Sequence, residues 1–255
     1  MIETVSLSAA RARGGVRLLM LRGLPSPWGQ AAKSILELKS IPFVRAYQEA
    51  EDPSSLLREW TGQDSYPVLA YERERPRPGW ADILLLAERL EPTPRLIPAD
   101  PAGRTLVFGL AHEICGEMGL GWCGRLLTID AQLREDPGNA FFAAFGAKYG
   151  YSPAAVAAAP RRCVEVLGQL DALLVRSTAA GTRYLLGADL GALDVYWAAF
   201  SNVLLPLPPD RCPMPDAFRP MFTCSHPEVV AALTPRLLAH RDFVYEHHLR
   251  LPMEL

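Results

Sequence analysis

The sequence predicts an α/β unit followed by an all-helical one. An apolar run, Val16-Arg17-Leu18-Leu19-Met20-Leu21, precedes Ala31, Ala32, Ile35, Leu36 and Leu38 at helical spacing, and Phe43-Val44-Arg45-Ala46-Tyr47 then returns to a strand-like pattern. Strand, helix and strand joined so closely make a parallel βαβ unit. The proline-rich stretch Glu91–Gly103 breaks the periodicity, as an interdomain linker does. Beyond it apolar residues recur at helical spacing, in the stripes Leu106, Leu110, Ile114, Met118 and Val164, Leu167, Leu170, Leu174. The expected division is residues 1–90 for the first domain, with 1–15 an irregular lead-in, 91–103 for the linker and 104–255 for the helical domain.

The first strand ends where Gly23 and Pro25 interrupt it, and Ser26-Pro27 opens the helix, with proline at a first helical position where its missing N–H costs nothing. Ser40, Ile41 and Pro42 stop that helix. Pro53–Trp60 forms a short helix, Gly62-Gln63-Asp64 a turn, and Ser65–Tyr71 a strand whose Pro67 confines it to an end or edge. The charged loop Glu72–Pro78 leads through a turn, and a brief further pairing or none, to a helix with Ile83, Leu86, Ala87 and Leu90 on one face. Ser152-Pro153 and Thr234-Pro235 each read as an N-cap followed by proline.

A chain of 255 residues, 49% hydrophobic, is long enough for two folded domains. Its net charge of −2, without a Lys/Arg block, argues against nucleic acid or an anionic membrane as partner. Cys115, Cys123, Cys163, Cys212 and Cys224 form no CxxC pair and are odd in number, which suits unpaired thiols in a reducing compartment. Met1–Gly15 lacks the apolar core of a signal peptide, and the longest uncharged run, Val195–Pro209, holds Asn202 and three prolines and falls short of a membrane span. Cytoplasmic residence is the expectation. His112-Glu113 lacks the second histidine of a zinc-binding HExxH helix, and the adjacent His247 and His248 point to different helix faces, so no metal is assigned.

Ser26 puts a hydroxyl at a helix mouth, where unpartnered N–H groups and the positive end of the dipole favour an anion such as a thiolate. The competing reading is an ordinary serine N-cap. Trp28, beside it, can face an apolar ligand or belong to the core.

Ser26-Pro27-Trp28-Gly29 through Lys39-Ser40-Ile41-Pro42, followed by Tyr66-Pro67-Val68-Leu69, resembles the glutathione transferase superfamily, whose stretches read Ser-Pro-Phe-Cys, Lys-Gly-Ile-Pro and Val-Pro-Val-Leu. Leu186–Asp194 is similar to the family's helix-capping segment, with Asp194 kept and Gly191 at the cap. The resemblance implies a thioredoxin-like N-terminal domain followed by a C-terminal all-helical, glutathione-transferase-like domain. It implies Ser26 as the catalytic hydroxyl that bonds the glutathione sulfur, and a cis-Pro67 whose preceding residue, Tyr66, pairs through its backbone with the cysteinyl part. The Glu-Ser pair that holds the γ-glutamyl end is replaced by Trp80-Ala81, or by Gly79-Trp80, with Asp82 the nearest carboxylate. Trp28, Tyr66, Pro67 and Asp82 are thus the implied glutathione contacts. Glutathione is the implied co-substrate, a small electrophile the second substrate, and a homodimer the implied assembly. The missing pair also motivates an alternative, a non-enzymatic binding or scaffold protein on the same fold; a third reading uses glutathione for isomerisation or ether cleavage.

Overall fold

Strand β2 (Val16–Leu19) is buried at every position, as a strand covered on both faces must be. It lies inside a four-stranded sheet of order β1-β3-β2-β4, with β1 at Thr4–Ser6, β3 at Phe43–Tyr47 and β4 at Val68–Tyr71. β3 runs parallel to both β1 and β2, whereas β4 pairs antiparallel with β2, Leu19 facing Val68 and Val16 facing Tyr71. Helix α2 (Pro27–Leu38) forms the crossover between β2 and β3, so the βαβ unit has the parallel sense its spacing predicts. The computed structural model describes residues 2–255, which fall into two compact units, one ending at Leu96 and one spanning Ile97–Glu254.

The irregular lead-in expected for residues 1–15 is not what forms. Residues 4–6 are strand β1 and Leu7–Ala12 is helix α1, capped by the Ser6 hydroxyl. Two residues of α1, Leu7 and Ala10, enter a buried cluster with Leu19, Ala46, Val68 and, from helix α3 (Leu56–Thr61), Leu56 and Leu57. A three-residue strand and a six-residue helix carry too little periodicity to be seen in sequence, and burial against distant residues is what orders them.

Helix α2 ends in a Schellman motif. The Ser40 N–H bonds the Glu37 carbonyl at 2.9 Å and the Ile41 N–H reaches Leu36 at 3.0 Å, while Ser40 takes the left-handed conformation with φ 53°. The neighbouring Lys39 is buried outright. Its Nζ bonds the carbonyls of Glu91 and Pro94 at 2.8 and 2.7 Å and the Glu88 carboxylate at 2.7 Å, so a single ammonium fastens the end of α2 to the end of helix α4 (Trp80–Leu90) and the chain beyond it. Between β4 and α4 only Arg77 pairs back, opposite Leu69, through two 2.9 Å backbone bonds.

The second unit contains α5 (Pro101–Cys115), α6 (Leu120–Glu135), α7 (Ala140–Lys148), α8 (Pro153–Ala179), α9 (Ala192–Ser201), a short 3₁₀ segment (Asp216–Phe222), α10 (Pro227–Ala232) and α11 (Pro235–His248). Every residue of α9 is buried, with α5 and α11 packed against it. Asp194 secures its start: Oδ2 accepts the Gly191 N–H at 2.9 Å, and Oδ1 accepts the Leu185 N–H at 2.8 Å and bonds His240 Nε2 at 3.0 Å. Glycine has no side chain to return the bond, so only the acidic half of a capping box exists. Ser152 and Thr234 cap α8 and α11 as expected, accepting the Ala155 and Leu237 N–H groups. The α5 stripe is shifted by one residue: Val107, Ala111 and Ile114 are buried, whereas Leu106 is exposed and Met118 lies beyond the helix end.

Candidate functional site

The register of β2 and β4 decides which sequence features meet. With Leu19 opposite Val68, the chain leaving β2 toward Ser26 and the chain entering β4 through Tyr66-Pro67 lie at the same end of the sheet. Arg77 opposite Leu69 turns the backbone toward that end again, which brings the opening of α4 to it after Gly79. Two helix mouths and the Tyr66-Pro67 peptide, which is cis, therefore converge there.

Ser26 occupies the N-cap position of α2, and its carbonyl accepts the Gln30 N–H at 2.8 Å. Its side chain makes no bond to its own helix, so the ordinary capping role is not the one it plays. The first turn of α2 contains no acidic side chain to compete for the N–H groups. Gly23, at φ 75°, makes the turn that carries the chain from β2 to Pro25 and Ser26. Beneath the mouth is Met20: a Cβ placed on Gly29 would lie 3.8 Å from the Met20 Cβ and 3.8 Å from the Ser26 Cβ. Trp28, half-buried, follows in the same turn.

Tyr66 is half-buried, with its ring packed against the cluster of Leu7, Ala10, Leu56 and Leu57. Burial, and then the charge of Asp52, push its phenol above the ordinary range. The side chain thus packs on the core of the first unit. Asp82 is exposed in the first turn of α4, its Oδ2 3.7 Å from where a Gly79 Cβ would stand. Its carboxylate folds back over the helix opening. No side chain caps α4, and Trp80 and Ala81 hold its first two positions.

Two groups near this end went unread in the sequence. Arg22 pairs with Glu49 across the ends of β2 and β3, its guanidinium 4.6 Å over the Tyr47 ring. Asp52 binds the N-terminal segment, and its only local signal is the Asp52-Pro53 dipeptide, which reads as a turn.

The histidines and Trp122 belong to the helical unit. His248 bonds the Tyr184 hydroxyl at 3.0 Å, His240 pairs with Asp194, and Trp122 Nε1 donates to the Tyr149 carbonyl at 2.9 Å. Among the described residues no group of three or more His, Cys, Asp or Glu is placed to hold a metal ion. Among them, too, no helix is long and apolar enough to cross a membrane. The helical unit has a cavity of about 1050 Å³ walled by Asp130, Arg134, Pro160, Arg219 and His226 among others, and none of the five site residues lines it.

No protein-family model and no curated protein matches the sequence. Solved structures do. A glutathione S-transferase from Methylobacterium radiotolerans, in complex with glutathione sulfonate, superimposes with a TM-score of 0.60 at 17% identity, covering 91% of this chain and 91% of that one. Glutathione transferase Omega 3C from Trametes versicolor gives 0.59 at 16% identity over 95% and 90%. The rice enzyme OsGSTU1, in complex with glutathione, gives 0.57 at 22% identity over 92% of each chain. The chain has the glutathione S-transferase fold.

Proposed function

We propose that the protein is a glutathione-transferase-like enzyme that activates the glutathione thiol at Ser26 for attack on a small electrophile. The observation that carries this reading is the meeting, at one end of the sheet, of a hydroxyl not engaged in capping and the Tyr66-Pro67 peptide. The Ser26 hydroxyl donates to the sulfur, and the mouth of α2 adds a positive potential, so the thiol ionises more readily. One hydrogen bond to a charged acceptor is worth about 1.5–3 kcal/mol, or roughly one to two pKa units. The backbone of Tyr66 pairs with the cysteinyl part, Trp28 borders it, and Asp82 faces the ligand's ammonium at the mouth of α4. The thiolate attacks the electrophilic carbon, and the displaced group leaves with the electron pair of the broken bond. In this reading the protein is a cytoplasmic homodimer, for which light scattering should give twice the chain mass.

Calorimetry with glutathione at millimolar concentration tests the reading, and absence of binding overturns it. Ser26→Ala should fold as the wild type does and lose roughly 10- to 100-fold in kcat/KM toward an activated aryl halide. The acidic limb of its pH-rate profile should move up by about one to two units.

A second reading, a binding or scaffold protein on the same fold, is favoured by one feature: α4 opens with Trp80-Ala81 and no side-chain cap where a γ-glutamyl clamp is expected. Co-purification of a different ligand or protein supports it, and retention on a glutathione resin argues against it. Isomerisation or ether cleavage would show as glutathione-dependent turnover without net consumption of glutathione, or with its oxidation.

A further inference from the structure

The N-terminal segment, which neither the motif nor the proposed chemistry uses, is held by one carboxylate. Asp52, 7% exposed in the loop between β3 and α3, accepts the Leu7 N–H and the Ser8 N–H at 3.0 Å each. It also accepts the Ser8 hydroxyl at 2.5 Å and the N–H of Glu49, in its own loop, at 3.0 Å. The Ser6 hydroxyl takes the Ala9 N–H at 3.2 Å. The first three N–H groups of α1 are therefore all satisfied, two of them by a residue 44 or 45 positions away. Six residues are too few for a helix to persist unaided, so α1 exists because it is docked. Burial opposes ionisation of Asp52, but the bonds from Ser8, Glu49 and Leu7 outweigh it and hold the carboxyl below its usual range.

What α1 covers gives the docking its consequence. Leu7 and Ala10 lie in one cluster with Leu19 and Val68, the paired residues at the site end of β2 and β4, and Tyr66 and Trp60 pack against the same cluster. We propose that Asp52 is a positioning residue for the candidate thiol site: by clasping α1 it fixes the packed surface beneath Tyr66, and so the backbone of Tyr66-Pro67 that meets the thiol ligand. The functional half of this inference rests on the glutathione reading above. The mechanical half, that residues 4–12 brace residues 66–71, does not.

Two measurements on the full chain separate them. In Asp52→Asn an amide donor replaces one acceptor oxygen, and hydrogen exchange should rise in residues 66–71 as well as in 4–12. The dissociation constant for glutathione should rise roughly tenfold while kcat at saturating thiol is unchanged, the size of effect a packed cluster transmits. Ser8→Ala, which removes one exposed hydroxyl, should move both readouts in the same direction by less. It serves alone if Asp52→Asn does not fold, and Ser8→Thr, which keeps the hydroxyl, should restore them. Faster exchange confined to residues 4–12, with wild-type affinity, overturns the proposal. If the wild type binds no glutathione, the thiol-site reading fails, and exchange at residues 66–71 alone decides whether the clasp positions that edge.

Discussion

Ser40 stands where the helix-ending turn calls for a left-handed residue, and it is exposed, so its side chain gives little back. Ser40→Gly should raise stability by about 0.5–1 kcal/mol, the relief at positive φ exceeding the entropy glycine adds to the unfolded chain. Urea unfolding at neutral pH measures it. Asp52 makes a pH-dependent prediction. Its carboxyl titrates lower in the folded protein than in the unfolded chain, so its stabilisation is complete above the ordinary value of about 3.9 and is lost as pH falls through the folded value. The melting-temperature gap between wild type and Asp52→Asn should hold from neutral pH to about pH 5 and close toward pH 2. The places of Ser26 at a helix start and of Pro67 before an edge strand were legible from their neighbours. Asp52 was not, because its partners lie more than forty positions away and a lone acid before a proline reads only as a turn.

At the scale of elements, the joints matter more than the rods. Lys39→Met removes the one ammonium that satisfies two carbonyls and a carboxylate, and should cost about 3–5 kcal/mol, a loss of the size seen when a buried pair is broken from one side. Asp194→Ala strands the Leu185 and Gly191 N–H groups and His240 together and should destabilise by about 3 kcal/mol or more, again by urea titration. The helices were legible where caps or long apolar faces mark them, as at α2, α4, α8 and α11. In α5 the sequence offers Leu106, Val107, Leu110, Ala111 and Ile114, an apolar arc wide enough to fit two faces; packing on α9 selects Val107 and leaves Leu106 outside. β1 and α1 stayed illegible because their order comes from docking, not from their own pattern.

For the whole molecule, the order of elements was legible, because strand-helix-strand and long helical periodicities survive in a single sequence; the N-terminal edge strand was the piece that local pattern did not contain. All five thiols are buried and none is in a disulfide. Burial raises Cys115, Cys224 and Cys212, the last to about 11, Cys163 is raised by its bond with Cys123 and by burial, and Cys123 is lowered by that same bond against its burial, yet none of the five is more than 7% exposed. An aromatic disulfide reagent at neutral pH should therefore find almost no reactive thiol in the native protein and five after denaturation, and early reaction would mark local opening. The clamp at Lys39 has a further consequence, for amine chemistry. The chain has only three lysines; Lys33 and Lys39 are 2% and 1% exposed, which leaves Lys148 as the accessible one. Acylating dyes, immobilisation resins and lysine-specific proteases will meet the folded protein at essentially one internal residue, on α7 in the helical unit, so a label attached there reports from a single known place.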